Sequence, residues 1–522
     1  MTRRDFVGAA LSVAANSNWS PGRVRHILPS ANHERIRVKV SFTEPLVKAP
    51  SLRAGSRIAA GMKTDSAGAF WAFDLAGLAP AATHPLQLLD ARGKALCDPW
   101  PLRTLPHPDS TVDRFRLFIY TCAGGHDAVR IPDSDKPYWV SLANRRKLLA
   151  TGLATNPDAI IANGDHVYWD QRFARGAMTT AASPLVRQVM GGDFERDLPV
   201  IGTPNESRLL RAVTPQIADL YGTMFRSVPT FFVQDDHDYF ENDEAIDAGI
   251  SFPPDDFMTR LARTTQHLFY PELLPDSSRP LGLPGSAADD RAAGLGECYG
   301  TLRFGRMAEI LLYDCRRYLT LKGPHAVFVP ENVEVWLVRR MKESPAEHVV
   351  NVPSTPIGWS AGKWGEWYPD LLLDDGRIGV SKPKYFWQTG WKLQHDRLLT
   401  AASAMRRIPL FISGDLHAIA HGAIHANGKH DLRSNPVHTV LSGPISTGPR
   451  GWPSSARGTP PQVANGIEID EDLKPIENNG FTIADFFADR IEFKQYRWKM
   501  DQPETALDNL KPFHQFTLRR AV

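Results

Sequence analysis

The chain has 522 residues, of which 42% are hydrophobic and 23% charged, with a formal net charge of +2. It is too long for one small core and has the composition of an ordinary globular protein. The balanced charge argues against a nucleic-acid-binding surface, no apolar run nears the ~20 residues of a membrane span, and four cysteines without a CxxC pair argue against a disulfide scaffold.

At the N-terminus, Thr2-Arg3-Arg4-Asp5-Phe6 precedes an uncharged, small-residue stretch from Val7 to Ala15. This has the form of a twin-arginine export signal, which a receptor reads and which is not an anchor. The expectation is therefore export by the twin-arginine machinery to a periplasmic or extracellular location, or a cytoplasmic one if the short signal is not functional. Pro21 to Asn32 reads as a linker, so residues 1–32 are taken as signal and linker.

From His33 the pattern is that of strands. Arg35 to Val40 alternates as a half-buried strand does, and Phe70-Trp71-Ala72-Phe73 and Pro85-Leu86-Gln87-Leu88-Leu89 are further short strands. Residues 33–106 are expected to form a small all-β sandwich of immunoglobulin or fibronectin type. After the His107-Pro108-Asp109 break, strands alternate with helices, the mark of an α/β layered domain, which we place at residues 112–515.

Within that domain, short apolar strands run into residues able to hold a cation. Arg116 to Tyr120 leads to Thr121-Cys122, and Ile160-Ile161-Ala162 leads to Asn163-Gly164-Asp165-His166-Val167-Tyr168. Thr230 to Val233 leads to Gln234-Asp235-Asp236-His237-Asp238, Ile310 to Tyr313 to Asp314-Cys315-Arg316, and Leu410 to Ile412 to Ser413-Gly414-Asp415-Leu416-His417. Ligands of open α/β sheets bind beyond the carboxyl ends of the strands. Cys122, Asp165, Tyr168, Asp236, Asp415 and His417 make a set too mixed for a structural zinc site, but suited to two cations that share a carboxylate. An acidic cluster directly after a buried strand is better explained by a cation than by mutual repulsion. Phe481 to Phe487 and Arg490 to Lys494 read as an edge hairpin of the same sheet.

These pieces, in this order, resemble the PhoD-like alkaline phosphatases/phosphodiesterases, a branch of the calcineurin-like metallophosphoesterases. Trp336-Leu337 belongs to the same series, and Phe73 to Pro80 and Leu102 to Pro106 are similar to that family's small β-domain. The resemblance implies an α/β fold, a layered α/β/β/α sandwich behind the N-terminal all-β domain. It implies hydrolysis of phosphate mono- or diesters by a metal-bridging hydroxide, most active at neutral to alkaline pH. Iron (Fe3+) would be held by Cys122, Asp165, Tyr168 and His417, and calcium (Ca2+) by Asp165 as bridge with Asp236 and Asp415. His237 would contact the phosphate and assist the leaving oxygen, Arg316 would lie near the phosphate, and Asp314 would orient it. Asp170 and Asn242 are weaker candidates. Gln234 and Cys315 depart from the family pattern at positions expected to line the site.

Two further features are ambiguous. The segment from Ile357 to Trp391 carries Trp359, Trp364, Trp367, Tyr368, Trp387 and Trp391 among glycines, and is expected either to form a lid over the site or to cover the sheet. His421 and His425 follow His417 at intervals of four and are read as structural. The rival functional readings are a non-catalytic exported binding protein with a vestigial metal site, and a different two-metal hydrolase.

Overall fold

The computed structural model describes residues 19–129, 137–169, 191–239, 245–246, 249–250, 252–286, 291–320, 327–361, 389–449, 451–457 and 460–520. The proposed export signal, Asp170, Asn242, and Trp364, Trp367, Tyr368 and Trp387 of the aromatic segment lie outside the described residues.

The first eight strands are β1 (Val24–Ala31), β2 (Arg35–Phe42), β3 (Ser51–Ala54), β4 (Arg57–Ala60), β5 (Met62–Lys63), β6 (Phe70–Ala76), β7 (Thr83–Leu89) and β8 (Trp100–Arg103). They form two antiparallel sheets, ordered β1-β2-β6-β5 and β4-β3-β7-β8. Val38, Val40, Trp71, Phe73, Leu86, Leu88 and Trp100 share one buried core there. The stretch read as a linker instead contains β1, paired with β2 from Val24 opposite Phe42 to Ala31 opposite Ile36. The alternating signal is missing because β1 is buried on both faces. Ile27 N–H donates to the Gly222 carbonyl (2.9 Å), and the His26 ring nitrogens lie 2.9 Å from the Phe269 carbonyl and 2.5 Å from Ser41 Oγ. A buried ion cluster also ties the sandwich to the rest of the chain: Glu272 meets Arg37 at 2.7 Å, Lys39 at 3.0 Å and Arg291 at 3.0 Å.

The remaining strands are β9 (Phe115–Tyr120), β10 (Ala159–Asn163), β11 (Thr230–Val233), β12 (Ala245–Ile246), β13 (Gly249–Ile250), β14 (Tyr299–Phe304), β15 (Ala308–Tyr313), β16 (His348–Pro353), β17 (Trp359–Ser360), β18 (Leu410–Ser413), β19 (Ile419–Asn427), β20 (His430–Asp431), β21 (Val437–Ser442), β22 (Gln462–Val463), β23 (Ile467–Ile476), β24 (Asn479–Phe487), β25 (Arg490–Trp498) and β26 (Pro512–Arg519). Two large sheets result. One runs β11-β10-β9-β24-β25-β26; the other runs β14-β15-β16-β18-β21-β19-β20, with β23 also paired to β19. Alternate residues of both sheets meet in one core, including Leu117, Ile119, Ile161, Val233, Ile310, Leu312, Val352, Ile412, Ala484 and Phe486. The opposite faces, with Phe118, Tyr120, Ile160, Phe232, Leu311 and Phe411, share a second core with helical residues such as Leu148, Leu209, Leu261, Leu337 and Leu398. Burial on both faces is why residues 117–120 of β9, 159–162 of β10, 231–233 of β11 and 310–313 of β15 read as apolar runs without alternation.

The C-terminal hairpin is not at the edge. β24 pairs with β9 along Thr482 to Phe486, and β26 closes the sheet outside β25. Arg116 pairs with Asp485 across the β9–β24 junction (2.7 and 2.9 Å). The turn between β24 and β25 is visible in sequence, but their neighbours are not, because pairing with β9 joins residues more than 360 positions apart.

Candidate metal centre

β9, β10 and β11 are parallel, with Ile161 opposite Ile119 and Asn163 opposite Val233, so their carboxyl ends open at one edge of the sheet. The loops beyond those ends are bonded to one another. Cys122 N–H donates to the Gly164 carbonyl (3.1 Å), Gly124 N–H to the Asp165 carbonyl (3.0 Å), and Thr121 N–H to the Gly443 carbonyl of the other sheet (3.1 Å). Two glycines permit this approach. A Cβ on Gly164 would fall 2.6 Å from that of Asp235, and one on Gly414 would fall 2.2 Å from Thr121 Oγ1.

Among the described residues, six other than glycine have positive φ, and four of them are candidate ligands: Cys122 (51°), Asp165 (57°), Asp415 (63°) and His417 (47°). That region is unfavourable for L-residues, and such strain gathers at functional sites where surrounding structure enforces it. Here the hydrogen-bonded loops do so. Asp238 adds a clamp: its carboxylate accepts from the backbone N–H groups of Asp165 (3.0 Å), His166 (2.7 Å), Val167 (3.2 Å) and Asp235 (2.9 Å).

The side chains converge in three overlapping groups. In the first, Asp165 Oδ2 accepts from Cys122 Sγ (3.2 Å) and Tyr168 Oη (3.0 Å), and Tyr168 Oη lies 2.8 Å from His417 Nε2. The second joins Asp165 to Asp236 and His237, whose ring centroid is 4.4 Å from that of Tyr168. The third joins Asp236 to Asp235 and Asp415. Within the Cys122–Asp165–His417 set, and within each of the other two, the ligand-capable atoms lie within 4.8 Å of one another. Arg316 spans the third group, with Nε donating to Asp235 (2.8 Å) and Nη2 to Asp415 (3.0 Å).

Burial, compounded by Asp236, Asp235, Asp238 and Asp415, pushes the Asp165 carboxyl well above its ordinary range. Burial likewise drives Asp235 up against the pull of Arg316, and raises the Cys122 thiol and the Tyr168 phenol, both of which the Asp165 charge raises further. Asp165 Oδ1 and Asp235 Oδ2 are buried with no hydrogen-bond partner. Like charges so close in a low-dielectric interior are costly unless a cation joins them, so the donor set fits bound metal. Thiolate, phenolate and imidazole around one corner suit a transition metal, and the carboxylates beside it suit a hard cation.

All six expected ligands thus fall in one cluster, although Asp415 shares its group with Asp235 and Asp236 and not with Asp165. His237 sits among ligand-capable atoms and not merely near them. Arg316 is buried against two carboxylates. Asp314 holds the loop through its backbone, accepting from the N–H groups of Arg316 (2.7 Å) and Arg317 (3.1 Å) and from Tyr239 Oη (2.7 Å). The separate tasks of Asp235 and Asp238 were hidden within the Asp-Asp-His-Asp run, whose composition signalled a cation but not the division of labour. Gln216 left no signal: its side-chain oxygen accepts from Gly125 (2.7 Å) and Tyr168 (2.9 Å), fixing two of the loops.

The two departures from the family pattern are engaged elsewhere. Gln234 accepts from Arg317 (2.7 Å) and donates to Tyr270 Oη (2.7 Å), and Cys315 is buried with its N–H on Ser354 Oγ (3.0 Å). The two described tryptophans of the aromatic segment are buried. Trp359 donates to Glu471 (2.9 Å), and Trp391 to the Val327 carbonyl (3.1 Å).

No family model and no curated protein matches this sequence. Among solved structures, PhoD matches over 97% of this chain and 92% of its own, with a TM-score of 0.59 and 12% identity. The chain has the fold of PhoD. A purple acid phosphatase, PPD1 from seeds of yellow lupin (Lupinus luteus), matches over 96% of this chain and 75% of its own, with a TM-score of 0.54 and 12% identity. The mixed α/β architecture behind antiparallel N-terminal sheets is the one expected from the sequence. No helix among the described residues is long and apolar enough to cross a membrane.

Proposed function

We propose that this chain is a metal-dependent phosphoesterase of the PhoD-like type, hydrolysing phosphate mono- or diesters. The observation that carries the reading is the place of Asp165. One buried carboxylate belongs both to the corner made by Cys122, Tyr168 and His417 and to the group with Asp236 and His237. In this reading the first corner holds ferric iron, and Asp236 and Asp415 hold calcium beside it. Such cations supply Lewis acidity, activating water and withdrawing charge from the phosphoryl group.

The chain's own residues do the rest. Asp238 and the bonded loops keep the ligands in place before substrate arrives, so little reorganisation is needed during reaction. In this reading His237 gives a proton at the leaving-group oxygen. Arg316 presents a planar cation beside the carboxylate set, a group suited to phosphoryl oxygens, and Asp314 fixes the loop that carries it. Export by the twin-arginine route suits a protein whose ligands assemble only in the folded state, since that route carries folded cargo.

The test is hydrolysis of chromogenic phosphate mono- and diesters by the purified protein supplied with iron and calcium, alongside elemental analysis. Turnover that is abolished by chelation and restored by the metals is expected. Metals bound with no turnover on any ester would favour the vestigial binding protein.

A further inference from the structure

Away from the strand-end loops, a second set of metal-capable side chains lies where the two large sheets meet at β19, β23 and β26. His421 of β19 and His514 of β26 approach the same oxygen of Asp472 on β23: His421 Nδ1 is 3.1 Å and His514 Nε2 is 3.2 Å from Asp472 Oδ2. The candidate ligand atoms of all three residues lie within 4.8 Å of one another. The two imidazoles are not equivalent. His421 makes a hydrogen bond to Asp472, whereas His514 Nε2 is buried and makes none despite its distance.

The rings are held in place. The His421 ring is stacked on Phe516 with centroids 3.6 Å apart and planes 5° apart, and Phe516 stacks in turn on Phe493 at 4.6 Å. His421 is only 6% exposed. A buried imidazole against an aromatic ring, opposite a half-exposed carboxylate, keeps a neutral nitrogen available while solvent can reach the position it faces.

We propose that His421, Asp472 and His514 form a second cation site, for a borderline divalent transition metal such as zinc. Imidazoles and a carboxylate are its usual donors, and the two His-to-Asp distances of 3.1 and 3.2 Å are close to the ligand separation of tetrahedral coordination at ~2.0–2.2 Å. The site's role is mechanical. β19 and β23 belong to one sheet and β26 to the other, so the ion clips the two sheets together at their margin. Nothing in it depends on the phosphoesterase reading, because none of the three residues belongs to the strand-end cluster.

The experiment uses full-length protein freed of metal by a chelator and titrated with Zn2+ in competition with a chromogenic chelator. His514→Gln and Asp472→Asn are compared with the unaltered protein, since both residues reach the surface and the substitutions preserve size. Each variant should lose one equivalent of bound zinc or bind it at least ~10-fold more weakly. Each should also show a smaller zinc-induced rise in melting temperature, while elemental analysis of the three proteins as purified, before chelation, finds equal iron and calcium. Equal zinc stoichiometry, affinity and thermal shift in all three proteins would overturn the proposal.

Discussion

Replacing Asp165 with Asn should shift stability in opposite directions with and without metal. Asn is close to isosteric, tolerates the left-handed backbone found there (φ 57°), and can still accept a hydrogen bond from Cys122 or Tyr168. What it removes is a charge crowded by Asp235, Asp236, Asp238 and Asp415. In metal-free protein at mildly alkaline pH, wild type must either ionise Asp165 against that crowd or keep it protonated above its ordinary range. Each unit of such displacement costs ~1.4 kcal/mol, so removing even one or two units should stabilise the stripped variant by ~1–3 kcal/mol. With metal the sign reverses. A cation at ~1,000 times its dissociation constant stabilises the folded state by ~4 kcal/mol, and a protein without the shared carboxylate forfeits most of that. The assay is thermal unfolding of wild type and Asp165→Asn, each after chelation and after reloading with iron and calcium. The variant should melt higher when stripped and lower when loaded. A stripped variant that melts lower than wild type and gains as much from metal would refute the argument that these carboxylates are arranged around cations.

Three further outcomes are expected. In stripped protein, Asp165 and Asp235 lie above the unfolded value of 3.8 and burial pushes Asp238 up to about 8, so the folded state holds the extra protons. The stability gained from metal should therefore grow as pH rises through the window from 3.8 to about 8, because binding has to displace those protons; a metal-induced gain that stays flat or shrinks across this window would contradict the assignment. His237→Ala should retain its metals by elemental analysis and lose ~10²–10⁴-fold in turnover of phosphate esters, whereas loss of a metal would make His237 a ligand instead. Tyr168→Phe keeps the ring but deletes the oxygen next to Asp165 and His417, so the phenolate-to-iron absorption band of the loaded protein should vanish; an unchanged spectrum would remove Tyr168 from the iron corner.

Much of this candidate site could be read from the chain because its residues obey a local rule: each comes within a few residues of a short, fully buried strand. Asp165 after Ile160 to Ala162 and Asp415 after Leu410 to Ile412 are of this kind, and the layered fold was legible in the same strands. What escaped was set by contacts across long separations. β1 looked like a linker because burial on both faces removes alternation. β24 looked peripheral because its partner β9 is hundreds of residues earlier. Gln216 and Asp238 act through backbone N–H groups of distant loops, which no local pattern records.

The bonded loops at the strand ends also govern when the centre can form. Cys122, Asp165 and Asp236 hang from one sheet, and Asp415 and His417 from the other, joined by bonds such as Thr121 to Gly443. The full set of candidate ligands therefore comes together only once the two sheets have packed. Damage in the interior between the sheets, far from any ligand, should first show itself as a protein that is made in normal amounts but leaves the purification short of its ions.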